Sequence, residues 1–281
     1  MSIQQLREAI QSFIRPDTFP VGIKIVKSQS ELPAKAKRPS QDLGYLITIC
    51  QAVSFSRRYG WTIAMNGDDL SCPIAQVAFG YEEQLPFYSE GHLACGMYTD
   101  SLEAGAKSEQ DVPKLSREES GYYVSFPLER APFDPDVVVI YGNSAQVMRL
   151  VAGMLYKRGG SIPSTFSSRA DCADIAIKPL QTGEPQVIVP CYGDRLFAQT
   201  QDHEMAFSFH FRDAAELVEG LEGTNRGGIR YPIPTYLRYQ AEFPPTYQKL
   251  ASMFPGAVSE ASAGEEQVSQ GSKLVQTEGK E

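Results

Sequence analysis

Histidine is scarce in this 281-residue chain, positive charge is in deficit, and long apolar runs are missing. Each shortage excludes something. With three histidines, a zinc-hydrolase centre has little to build on: His203-Glu204 opens like H-E-x-x-H, but Phe207 stands where the second histidine belongs. His203 reads as a turn residue and His210 as a strand end. Lys and Arg total 26 against 34 Asp and Glu, a formal net charge of −8. That disfavours non-specific binding to nucleic acid or to an anionic membrane, both of which need positive charge. No apolar run approaches the roughly 20 residues of a membrane-spanning helix. The opening "MSIQQLREAIQSFIRPDTFP" lacks the basic start and apolar middle of a secretory leader. A cytoplasmic location is the expectation. There is no C-x-x-C, so a zinc ribbon and a thioredoxin-like site lack support. Neither G-x-G-x-x-G nor a Walker A sequence occurs, and no Ser-His-Asp or Cys-His pattern has supporting context.

What is present is an ordinary globular composition, 42% hydrophobic and 21% charged. Ile3, Leu6, Ile10 and Phe13 form one face of a first helix. "FPVGIKIV" alternates as a strand. "YLITI" reads as a strand running into the helix "QAVSFSRRYG", and "WTIAMNGDDLSCPIAQVAFG" repeats that plan. A helix is expected around residues 101–107. "YYVSFPL" alternates, and "DVVVIYG" is a continuous β-branched run, as in a strand buried on both faces. "NSAQVMRLVAGMLYKRGG" is a capped helix with a double-glycine stop. "DIAIKPL", "PQVIVPC" and "EMAFSFHF" read as strands, and "RDAAELVEGLEG" as a helix. The expected fold is α/β or α+β, a mixed sheet with helices packed on it, in one domain over residues 1–255 with a hint of two similar halves. Residues 256–281 lack aromatics and read as a disordered tail.

The five cysteines are Cys50, Cys72, Cys95, Cys172 and Cys191, an odd number in a chain without export signals, so a disulfide scaffold is the poorer reading. Cys50 lies where a strand gives way to a helix, and Cys72 precedes Pro73, a residue favoured in a helix's first turn. Both thiols are therefore expected at helix N-termini, where backbone N–H groups favour a thiolate. Cys172 precedes the run read as a strand, and Cys191 ends another, with Arg195 four residues on. Separations of 22 residues (50 to 72) and 19 (172 to 191) give each half one widely spaced pair. Four thiolates are the usual ligand set of an iron–sulfur cluster or a structural zinc. Inert, buried thiols are the alternative.

Other motifs are weaker. Backbone amides around Gly142 to Ala145 form a βα turn that favours a cap over an anion site. Asp134 and Asp136 sit in a proline-rigid stretch and do not read as an acid/base pair. "TNRGGIRYPIP", with Arg226 and Arg230, is a polar connection or a loop over a site.

The blocks "FPVGIKIV", "CQAVSFSRRYG", "SCPIAQVAFG", "APFDPDVVVIYGNSAQVMRLVAGMLYKRGG", "DCADIAIKPLQTGEPQVIVPCYGDRLFAQTQDHEMAFSF" and "GLEGTNRGGIRYPIP" follow in an order that resembles the domain of unknown function 169 family. The resemblance runs from the first strand to Pro234. It implies cysteines at Cys50, Cys72, Cys172 and Cys191 and leaves Cys95 outside the pattern, but it implies no particular reaction. The leading expectation is an iron–sulfur cluster, with zinc as the alternative, held by Cys50, Cys72, Cys172 and Cys191. Arg195 and Arg169 would stabilise the cluster or an anion beside it. The role would be redox or electron-transfer chemistry with a small-molecule substrate or a redox partner protein, and self-association as a homo-oligomer is a further expectation. Two alternatives remain open: a metal-free enzyme or sensor with Cys72 or Cys191 as an activated thiol, and a small-ligand-binding domain with structural cysteines.

Overall fold

A computed structural model describes residues 1–233 and 243–254. The chain divides into a compact unit, Met1–Pro234, and a second unit from Thr235 onward. The second unit's described part is a short helix, Pro245–Ala251. The tail expected over 256–281 lies outside the described residues.

In chain order the first unit runs α1 (Ile3–Phe13), β1 (Val21–Val26), α2 (Ile49–Tyr59), β2 (Ile63–Met65), α3 (Pro73–Ala78), α4 (Pro86–Ser89), α5 (Leu102–Asp111) and β3 (Tyr122–Pro127). It continues with β4 (Val137–Gly142), α6 (Ser144–Arg158), α7 (Asp171–Thr182), β5 (Gln186–Ile188), α8 (Tyr192–Ala198), β6 (Met205–His210) and α9 (Ala214–Arg226). The strands form one six-stranded sheet in the order β2-β3-β1-β4-β6-β5. Each of its ladders is antiparallel, so the expected helix-covered sheet takes the α+β form.

Side chains alternate across the sheet. Val21, Ile23, Tyr123, Val137, Val139 and Tyr141 face a core shared with α2, α3 and α7. Val124, Phe126, Val138, Ile140, Phe207 and Phe209 face a second core with α1, α6 and α9. The continuous apolar run of β4 follows from this, because both of its faces are covered. No helix among the described residues is long and apolar enough to cross a membrane.

The two halves share one plan. Strands β1, β2 and β3 lie in the order 2-3-1, and β4, β5 and β6 repeat it as 5-6-4 in mirror sequence along the sheet. The register matches residue by residue. Ile63, Ala64 and Met65 pair with Ser125, Val124 and Tyr123. Gln186, Val187 and Ile188 pair with Ser208, Phe207 and Ala206 in the same sense. At the junction, Val21 pairs with Val139 and Ile23 with Val137, a self-consistent exchange about Gly22 and Val138. After β3 the Leu128 amide donates to the Pro20 carbonyl, just before β1, and after β6 the Phe211 amide donates to the Asp136 carbonyl, just before β4. A pseudo-twofold axis therefore crosses the sheet between β1 and β4.

Two stretches differ from their sequence reading. "DIAIKPL" belongs to helix α7: Ala173, Ile175, Ala176 and Ile177 are all buried, and the short Ile-Ala-Ile run alternates as a strand would. "YLITI" forms no strand; Ile47 makes an isolated bridge to Leu70, and α2 starts at Ile49.

Candidate thiol-lined site

Under the pseudo-symmetry Cys50 answers to Cys172, since both are the second residue of the helix that precedes the edge strand of their half. Cys72 answers to Cys191, each the N-cap of the short helix that follows that strand. The expectation that Cys50 and Cys72 stand at helix N-termini is met, and Cys172 and Cys191 join them. Helix contacts cross between the halves in matched pairs, α2 with α8 and α3 with α7. The outcome is one cavity of about 270 Å³ whose lining includes all four thiols. Cys95 lies apart, in the turn that bridges it to Thr99.

A helix start leaves N–H groups that no turn of the helix satisfies. At α2, Thr48 supplies a cap, accepting from the Gln51 amide at 3.1 Å while its own amide donates to the Gln51 side chain at 2.9 Å. Its hydroxyl also lies 2.9 Å from Cys50 Sγ. At α3, α7 and α8 no side chain caps the helix. Cys72 and Cys191 are the N-caps of α3 and α8, and Cys172 is the second residue of α7.

Acid groups lie behind the thiols. Cys191 Sγ donates to Asp171 Oδ1 at 3.0 Å, and the Cys191 amide donates to Oδ2 at 3.2 Å. Tyr141 OH donates to Asp194 Oδ2 at 3.1 Å. Burial, then the charge of Asp171 and a hydrogen bond with it, push the Asp194 carboxyl well above the usual carboxylate range. Beneath Tyr141 the Arg57 guanidinium stacks 4.1 Å from the ring centre and forks onto Glu204 at 2.5 and 3.1 Å.

The thiols respond to these surroundings. Burial foremost, with the charges of Asp194 and Asp171, pushes Cys50 well up. Burial and then Asp171 do the same for Cys172, which also feels Cys50, Cys72 and Cys191. Cys191 is raised by burial, by the charge of Asp171 and by its bond to that carboxylate. In all three the shift favours the neutral thiol.

Of the two arginines expected here, Arg169 lines the cavity and Arg195 does not. Arg195 turns away and donates to the Gln201 carbonyl at 2.6 Å, because its place in the first turns of α8 points it along the surface. His203 lies in a turn, and His210 ends β6 with Nδ1 accepting from the Arg212 amide. Asn143 caps α6, its Oδ1 accepting from the amides of Ala145 and Gln146 at 3.0 Å each, so the βα turn spends its donors internally. Asp136 ties Lys24 and the Ile25 amide, which makes it a strand clamp. Asp171, Asp194, Glu109, Tyr98 and Tyr141 carry no motif; Asp171, Asp194 and Tyr141 arrive with the two halves, and Tyr98 and Glu109 come from the segment between α3 and β3.

A family model described as DUF169, uncharacterised ArCR, matches residues 9–220, a span holding all four cavity cysteines, Arg169 and Asp171. The chain belongs to the DUF169 family. A relative from Methanocaldococcus jannaschii, described as uncharacterized protein MJ0308, is 24% identical over 229 residues, 79% of this chain and 96% of the relative. No solved structure matches the chain. Family membership therefore supplies no reaction, and the site has to be read from its own chemistry.

Proposed function

We propose that this DUF169 protein holds an iron–sulfur cluster through Cys50, Cys72, Cys172 and Cys191 and uses it in electron transfer, to a small molecule or to a redox partner protein. The observation that carries the reading is the arrival of these four cysteines, from four separate segments, in one cavity, two from each half. Four thiolates are a common ligand set for such clusters. Buried thiols bind metal by giving up their protons, and the metal's own charge overcomes the burial that keeps them neutral. Spare N–H groups at three uncapped helix starts are suited to hydrogen-bond the sulfurs and to favour a negatively charged cluster.

Among the described residues, no group of three or more histidine, cysteine, aspartate or glutamate side chains is placed to hold a single metal ion. Four sulfurs around one zinc, at about 2.3 Å each, must crowd together. Zinc is the alternative occupant for the same four thiols. For Cys191 the activated-thiol alternative has less support: it is raised, not lowered, and its proton is held by Asp171.

The test is anaerobic reconstitution with iron and sulfide, followed by absorption spectra and metal analysis. Iron and sulfide should be retained with a visible charge-transfer band. Replacing any of the four cysteines by alanine should abolish it, while Cys95→Ala should leave it intact. Retention of zinc alone, or equal iron uptake by Cys95→Ala and all four cavity variants, would sink the reading.

A further inference from the structure

Arg169 is the least satisfied charged group in the first unit. Its side chain is 2% exposed, yet it lines the thiol cavity. Among the described residues its Nε, Nη1 and Nη2 have no hydrogen-bond partner of good geometry. Nη1 lies 2.6 Å from Glu109 Oε1, a close ionic contact that is poorly aligned, and neither Glu109 oxygen is otherwise bonded. A guanidinium has five N–H donors in a planar fork. Glu109 balances the charge at one corner and leaves the remaining donors without acceptors, which is costly for a buried cation. Tyr98 lies over the guanidinium at 5.2 Å, holding its plane. The other wall is apolar: Met97, Leu196 and Phe197 line the cavity and are 66%, 55% and 53% exposed at its mouth.

We infer that the cavity binds a small carboxylate with an apolar, ring-sized body, the carboxylate on the Arg169 fork and the body against Tyr98, Leu196 and Phe197. A planar fork matches a carboxylate's two oxygens. A mostly apolar cleft with one convergent polar group is the usual form of a small-molecule site. The inference goes beyond the cluster reading and does not depend on it.

Benzoate is the probe and benzamide its uncharged counterpart, titrated calorimetrically into the full-length protein in metal-free and iron-loaded forms. Benzoate should bind about tenfold or more tightly than benzamide, the difference a fork on a carboxylate supplies. Arg169→Lys keeps the charge beside Glu109 but loses the fork, and should bring benzoate down to the benzamide level. Leu196→Glu, at an exposed position that spares the core, removes part of the apolar wall for both probes and adds a repelling charge for one, so it should weaken benzoate more than benzamide. Bound benzoate should slow iodoacetamide labelling of Cys72 and leave that of Cys95 unaltered. Equal affinity for the two probes, a folded Arg169→Lys that binds benzoate normally, or unprotected Cys72 would overturn the inference. Iron uptake without benzoate binding in either form removes the carboxylate site alone; benzoate binding without iron uptake removes the cluster alone.

Discussion

Glu204 shows how much of this molecule rests on single buried charges. It receives the fork of Arg57, a second contact from Arg58 at 3.3 Å and the Gln201 amide at 2.7 Å. Burial pushes its carboxyl up, but the Arg57 hydrogen bonds, the Gln201 amide and the charges of Arg57 and Arg58 outweigh that and hold it below the usual carboxylate range. Glu204→Gln leaves Arg57, 1% exposed, without its counter-charge. Breaking one partner of a buried pair costs about 3–5 kcal/mol, and urea unfolding at neutral pH should show a loss of that order. The sign with pH follows from the lowered carboxyl. Its contribution is complete above the ordinary carboxylate pKa of about 4.3 and fades as pH falls through the lower folded value. The gap between wild type and Glu204→Gln should therefore hold steady down to about pH 4 and narrow below it; a gap that stays constant through the acid range would refute the assignment. At this scale the sequence was partly legible. Cys50 and Cys72 stand at helix starts in the sequence as in the fold, whereas Cys172 reads as preceding a strand and Cys191 as ending one, and Arg169 is a cation near Cys172. Arg195 was misjudged because four residues of separation say nothing about which side of a short helix a side chain leaves. Glu109, Asp171 and Asp194 were unreadable because their partners come from distant segments.

Between elements, α6 and α9 cross closely enough to require glycine at the contact. A Cβ added to Gly220 would lie 1.8 Å from the Gly153 carbonyl oxygen, and one on Gly153 would lie 2.9 Å from Leu221 Cδ2. Alanine is the better helix former by about 1 kcal/mol, so an unobstructed site would gain from Gly220→Ala. Here the clash is with backbone, and prising the helices apart costs about 1–3 kcal/mol or more, so the loss wins. Gly220→Ala should lower the urea midpoint with an unchanged slope, and a stabilised variant would show that the helices sit further apart. Strands β1, β3, β4 and β6 were legible because their apolar pattern follows the sheet's two faces. Helix α7 was not, because its short Ile-Ala-Ile run alternates as a strand would.

At the scale of the whole molecule, the pseudo-twofold plan explains why cysteines 122 (50 to 172) and 119 (72 to 191) residues apart belong together. Widely spaced pairs in each half hinted at it, but the hint lacked the strand register that makes Cys50 equivalent to Cys172 and Cys72 to Cys191. Buried Ser125 and Ser208, at matching places in β3 and β6, are a further trace of it. A centre with two ligands from each half ties the halves together in a way the β1–β4 ladder alone does not. A group that binds the folded state and not the unfolded one stabilises by about 2.7 kcal/mol at a hundredfold excess over its dissociation constant. Reconstituted protein should therefore melt at a higher temperature than the metal-free form. Its amide exchange should slow together at the starts of α2, α3, α7 and α8. Cys50→Ala and Cys172→Ala should each erase the whole increment, and their combination should erase no more, because ligands of one centre are not additive. Protection confined to one half, or increments that add across the two variants, would mean that the halves hold separate sites and that the symmetry has no common centre.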